Sequence, residues 1–186
     1  MLTKSSPYLS SLYRLGEHVP RIAPDAWIAP GAVLVGQVEV GAGSGIWFHC
    51  ILRGDTNLIK IGARTNIQDG TVIHVDPGAY ATIIGDDVTI GHSCLIHGCT
   101  LEDGAFVGMA STILNSAVVE GGGVLGAGSL LTSGKRVRRN ELWTGSPAQL
   151  RRTLTDAERD DFMSVAAHYA NNAQRFRREM DHVDSP

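Results

Sequence analysis

An aliphatic residue recurs at every sixth position through most of this chain, and that period restricts what it can fold into. The series runs Ile22, Ile28, Leu34, Val40, Ile46, Leu52, resumes at Ile61, Ile67, Ile73, again at Ile84, Ile90, Ile96, and finally at Val107, Ile113, Val119, Leu125, Leu131. Six residues span three turns of the two-residue strand alternation and match no helical face. Each unit buries its apolar side only by stacking on the next, which is the logic of a parallel β-helix. Three hexads to a coil, with Leu101 bridging a one-residue slip, give the corner sets 22/28/34, 40/46/52, 61/67/73, 84/90/96, 101/107/113 and 119/125/131. Equivalent corners then stack at the strand spacing of ~4.8 Å. The residue after the corner faces outward and is glycine at 41, 62, 85, 91, 108 and 126, where space is short or the backbone angle is special.

Arg53, His74 and His97 break that pattern. Each follows the third corner of its coil, so the three form one column on one face. His92 falls two residues after Ile90, on the neighbouring face above Asp69, with Gln68 beside it. His74 and His97 are placed to share a metal ion while His92 points away, so the spacing predicts a cyclic homotrimer in which an identical neighbour supplies the third imidazole. Three histidine nitrogens are sufficient for a catalytic zinc-type site with a place left for water. Two excursions flank this column: Arg53-Gly54-Asp55-Thr56-Asn57, and the segment containing Asp76-Pro77-Gly78-Ala79-Tyr80 just after His74. Both read as loops leaving a rigid scaffold, where function concentrates.

The remainder of the chain is consistent with one domain of 186 residues. Residues 1–18 are expected to cap or brace the first coil, 19–135 to form the β-helix and 136–154 to close it, the repeat ending at Leu131. Thr155-Asp156-Ala157-Glu158 reads as a capping box opening a helix over 155–180, with Phe162, Val165, Ala166, Tyr169, Ala173, Phe176 and Met180 as its apolar stripe. That helix is expected to pack alongside the coil. A net charge of −3 and the lack of a basic block along the repeat argue against nucleic acid as a partner. Arg151, Arg152, Arg175, Arg177 and Arg178 read as a solvated helix surface. With neither a leader pattern nor a run of ~20 apolar residues, a cytoplasmic protein off the membrane is expected. Cys50, Cys94 and Cys99 are expected to fill the coil as small apolar groups rather than bind zinc.

The motifs Arg53-Gly54-Asp55, Asn66-Ile67-Gln68-Asp69-Gly70, His74, Gly91-His92 and Leu95-Ile96-His97-Gly98-Cys99 closely resemble the γ-class carbonic anhydrase family, and the resemblance runs from about residue 12 to the C-terminal helix. It implies a left-handed β-helix and a trimer holding Zn2+ (or Fe2+ or Co2+) on two histidines of one subunit and one of the next. It implies reversible hydration of carbon dioxide to bicarbonate by attack of metal-bound hydroxide. Arg53 and Asp55 would pair across the interface, Gln68 would hydrogen-bond the reacting water, Asp69 would support the site, Asn66 would lie near the substrate pocket, and Tyr169 would reach a neighbour's site. The chain departs from the best-studied branch at Thr56 and at Val75-Asp76-Pro77-Gly78, where that branch carries proton-shuttling glutamates; Asp76 is the available substitute. Three other readings stay open: a hexapeptide acyltransferase using acyl-CoA, whose Gly-x-Pro-Ala ending matches Gly145-Ser146-Pro147-Ala148, a thioesterase on the same metal, and a non-catalytic metal-binding scaffold.

Overall fold

The aliphatic corners stack in register. In the computed structural model, which describes residues 11–181, Ile22 pairs with Val40, Val40 with Ile61, Ile61 with Ile84, Ile84 with Leu101 and Leu101 with Val119. The second column runs Ile28, Ile46, Ile67, Ile90, Val107, Leu125, and the third runs Leu34, Leu52, Ile73, Ile96, Ile113, Leu131. All six corner sets read from the period are therefore the coils of a parallel β-solenoid. From Leu34 onward every corner side chain is buried. Strands are mostly two or three residues long, because the chain turns after each corner.

Two features differ from the sequence expectation. The repeat does not end at Leu131: Val137 pairs with Val119 and Trp143 with Leu125, so a seventh coil lies within the segment expected only to close the stack. Val137 keeps the six-residue step, and Trp143 holds the next corner with an aromatic ring in place of an aliphatic. An antiparallel strand, Ala148–Thr153, then folds back on Glu141–Gly145. The Arg53–Asn57 stretch is not a loop either. It is part of the longest strand, Ile51–Ile61, where the register jumps from Gly36↔Gly54 to Val38↔Ile59. Residues 55–58 stand against the single residue Gln37, so the insertion is a bulge within one continuous strand. By contrast, 77–80 do project from the coil and are exposed.

Inside, small side chains occupy the slots between corners, and several are hydroxyls that bond the backbone where the ladder breaks at a turn. Thr65 Oγ1 donates to the Gly85 carbonyl and accepts from the Val88 amide; Thr71 Oγ1 does the same for Gly91 and Cys94. The buried backbone groups of Gly85, Val88, Gly91 and Cys94 are thereby paired. Cys50, Cys94 and Cys99 share this interior, and burial pushes the Cys50 and Cys99 thiols up to about 12. Thiols kept protonated there are neither ligands nor nucleophiles.

The glycine after the corner answers to space. A Cβ on Gly91 would come within 2.6 Å of the Met109 amide nitrogen, and one on Gly108 within 2.4 Å of that of Ala127. Neither has a left-handed φ; the backbone of the next coil is simply too close.

The helix Asp156–Glu179 lies along the second face, next to the strands carrying Ile28, Ile46, Ile67 and Ile90. Thr155 and Glu158 form the expected capping box. Ala166 and Ala173 are its buried positions, and Trp27, Trp47, Phe48, Tyr169 and Phe176 form an aromatic cluster between helix and coil. Met180, read as part of the stripe, is 43% exposed because it is the cap residue. Arg152 and Arg175 pair with Glu158 and Glu179, as a solvated surface would. Residues 11–13 pair parallel with Val33–Val35, bracing the first coil; the rest of the expected cap up to residue 10 lies outside the described residues.

Two predictions follow from this packing. Gly108→Ala should cost about 1–3 kcal/mol or more by forcing adjacent coils apart. Gly134→Ala, at φ +72° with open space around the added methyl, should cost only about 1–2 kcal/mol of backbone strain; chemical denaturation compares them. Hydrogen bonds from Arg152 first, then Thr155, hold the Glu158 carboxyl at about 2. This lies below the ~4.3 of an unstructured glutamate, so its stabilisation is complete above that pH and fades as pH falls toward about 2. The thermal-stability gap between the unaltered chain and Glu158→Gln should close over that range.

Candidate metal centre

Register places the column read from the sequence: Arg53 pairs with His74 and His74 with His97, side by side on the third face. Outward alternation after a buried corner points both imidazoles the same way. Their backbones are fastened together by Thr82, whose hydroxyl donates to the His74 carbonyl at 2.9 Å and accepts from the Gly98 amide at 3.0 Å.

His74 Nδ1 and His97 Nε2 face one another at 3.0 Å. Their other nitrogens are each held by an acceptor: His74 Nε2 lies 2.9 Å from Asp55 Oδ1, and His97 Nδ1 lies 2.6 Å from Asn115 Oδ1. Burial pushes the Asp55 carboxyl up, but the hydrogen bond from His74 and the charge of Arg53 outweigh it and hold Asp55 below the usual carboxylate range. A carboxylate and an amide oxygen only accept, so both outer nitrogens donate. In the neutral rings the two inner nitrogens then meet lone pair to lone pair, an arrangement that needs a positive centre between them. Two nitrogens on one tetrahedral cation at ~2.0–2.1 Å sit about 3.3 Å apart, so the observed pair fits a metal with little adjustment. Histidines whose second nitrogen is anchored by an oxygen acceptor are characteristic of metal ligands.

Asp76 completes this cluster. Its Oδ1 is 4.0 Å from His97 Nε2, and its Oδ2 accepts from Asn115 Nδ2 at 3.0 Å. His74, Asp76 and His97 are the residues whose donor atoms converge closely enough for one ion among the described residues. The loop carrying Asp76 is pinned by Asn57, which donates to the carbonyls of Asp76 and Gly78 at 3.0 and 2.9 Å. Arg53 and Asp55 form an ion pair within the chain itself.

The other site residues read from the sequence gather on the second face. His92 Nδ1 is 2.8 Å from Asp69 Oδ2, so this ring too has one nitrogen held by an acceptor. Gln68 is buried and donates to Asn66 Oδ1 at 3.0 Å, while Asn66 donates to Thr89 Oγ1 at 2.9 Å. Tyr169 packs edge-on against Trp47 at 5.3 Å; burial, then the charge of Asp69, raises its hydroxyl. The chain thus carries two separate groups: Arg53, Asp55, His74 and His97 on one face, and Asn66, Gln68, Asp69, His92 and Tyr169 on the other.

Sequence reasoning missed Asn115 and Thr82. Asn115 sits two residues after Ile113, directly above Gly98 in the coil below. Laying the coils over one another residue by residue would have set this amide next to His97.

Among the described residues no helix is long and apolar enough to cross a membrane. No family model matches the chain. It is 43% identical over 169 residues to gamma carbonic anhydrase 1, mitochondrial, of Arabidopsis thaliana, matching 88% of this chain and 62% of the plant protein. The chain therefore spans about three fifths of the length of that relative. Among solved structures, a hexapeptide transferase family protein from Anaplasma phagocytophilum superposes with a TM-score of 0.86 at 42% identity, covering 89% of this chain and 98% of that one. A Methanocaldococcus jannaschii relative named "Probable carbonic anhydrase" is 43% identical over 148 residues, 80% of this chain and 92% of the archaeal one. Identity at that level across nearly the whole of a relative, in a chain whose stacked imidazoles carry the family's motifs, establishes that the chain belongs to the γ-class carbonic anhydrase family.

Proposed function

We propose that the chain hydrates carbon dioxide reversibly to bicarbonate as a metal-dependent homotrimer. His74 and His97, together with His92 of the partner subunit, would hold the ion. The observation that carries this reading is that each of the three imidazoles has one ring nitrogen anchored by an oxygen acceptor, Asp55, Asn115 or Asp69, leaving the other to ligate. The separation of His92 onto its own face supports a site shared between copies. An imidazole donor set suits Zn2+ first, with Fe2+ or Co2+ compatible. The ion supplies Lewis acidity, which brings the pKa of water to about 7.

The chain's own residues do the rest. Asp55, braced by Arg53, orients His74. Asn66 fixes the Gln68 amide, the group suited to hydrogen-bond the reacting water, beside Asp69. Asp76, half-exposed at 45% and 4.0 Å from His97, is the carboxylate best situated to take the released proton to solvent.

A second reading, a scaffold that keeps the metal for cohesion, is favoured by Thr56. Its hydroxyl donates to the Val75 carbonyl at 3.3 Å and offers no carboxylate where the best-studied branch has one. The transferase reading draws on the likeness to the Anaplasma protein. It needs only one histidine to act as a base, which leaves the close pairing of His74 with His97 without a purpose.

Metal analysis and stopped-flow hydration of the purified protein test the proposal: tightly bound metal with no hydration above background across pH would leave the scaffold. Shared sites make a sharper demand. His74→Ala and His92→Ala proteins should each be inactive, and unfolding and refolding them together should restore about a quarter of the sites; a mixture that stays inactive rules out sharing. Asp76→Asn should lower kcat about 10-fold or more in weak buffer, with recovery in concentrated imidazole buffer. Unchanged kcat in weak buffer would remove Asp76 from the proton path.

A further inference from the structure

We infer that Asn115 is a positioning residue that sets the tautomer of His97, and thereby makes its Nε2 available to the metal; this rests on the metal-site reading above. The amide is held at both ends. Its nitrogen donates to Asp76 Oδ2 at 3.0 Å, and a carboxylate oxygen can only accept, so the oxygen must be the atom 2.6 Å from His97 Nδ1. That oxygen in turn can only accept, so the His97 proton resides on Nδ1 and the lone pair on Nε2.

The backbone around the amide is equally constrained. The Asn115 carbonyl accepts from the Gly134 amide at 3.0 Å, and Ser116 N donates to the Gly98 carbonyl at 2.8 Å. The coil below leaves room for the amide only because residue 98 is glycine: a Cβ there would meet Asn115 Oδ1 at 2.5 Å. One side chain thus fixes a ligand's protonation geometry and the location of the nearby Asp76 carboxylate together. A free imidazole in water favours its proton on Nε2, the form that cannot ligate through that atom, so without the amide the ring must switch tautomer before it binds metal.

Two measurements on the full chain test this. In metal-free protein at about pH 8, above the ordinary imidazole range, long-range 15N–1H correlation spectra should report an Nδ1–H tautomer for His97. Asn115→Leu should move the ring to Nε2–H, and Asn115→Asp, which retains an acceptor, should not. Zinc affinity, read by competition with a chromophoric chelator, should fall about 10–100-fold in Asn115→Leu and largely recover in Asn115→Asp. An Nε2–H tautomer in the unaltered chain overturns the inference even if the leucine variant fails to fold. So does a folded Asn115→Leu protein that binds zinc as tightly as the unaltered one; that result leaves the metal-site reading intact. No zinc uptake by the unaltered chain strikes down both.

Discussion

Adjacent coils in this molecule approach as closely as backbones can. The aliphatic columns hold them in register, and the glycine columns let the main chains come together where any methyl would meet the next coil. Strand pitch is set by the hydrogen-bond ladder at ~4.8 Å, so two side chains in equivalent slots of neighbouring coils have a spacing the protein cannot easily alter. The His74–His97 pair inherits its separation from that pitch. A loop-built site would need many contacts to achieve the same stiffness; here the core supplies it and the imidazoles only tilt toward each other.

The same rigidity leaves polar partners, more than backbone shifts, to orient the two imidazoles. Asp55 comes from the bulged strand, Asn115 from the coil above, and Asp76 from the projecting loop. Each approaches the histidines from a different direction, and each is itself restrained, by Arg53, by the Gly134 and Gly98 backbone contacts, and by Asn57 and Asn115 respectively. On the second face Asp69 does for His92 what Asp55 does for His74. Two anchored half-sites on one rigid body are what an assembly from identical copies would require, since neither half must reorganise to meet the other.

Much of this was legible in the sequence because a solenoid converts position number into location. The corner sets, the Arg53–His74–His97 column, the seating of His92 over Asp69 and the capping box at Thr155 all followed from counting residues. What escaped had physical reasons. Trp143 continues the stack with a residue outside the aliphatic alphabet, so the seventh coil did not register. The stretch 53–57 looked like a loop because a bulge and a loop insert residues alike, and only pairing with Gly36 and Val38 distinguishes them. Asn115 was overlooked because its role depends on which end of an amide faces which neighbour, and that is fixed by Asp76, thirty-nine residues earlier in the chain.

The way the stack finishes also matters. A solenoid of parallel coils offers at each end a row of open backbone groups onto which another molecule could add in the same sense, and repetition of that step makes a fibre. On the second face that path is closed at the C-terminal end. The strand Ala148–Thr153 reverses direction and pairs antiparallel with Glu141–Gly145, so an incoming parallel edge finds the wrong polarity, with exposed Arg151 and Arg152 along it. The segment that finishes the last coil therefore also turns parallel pairing away on that face.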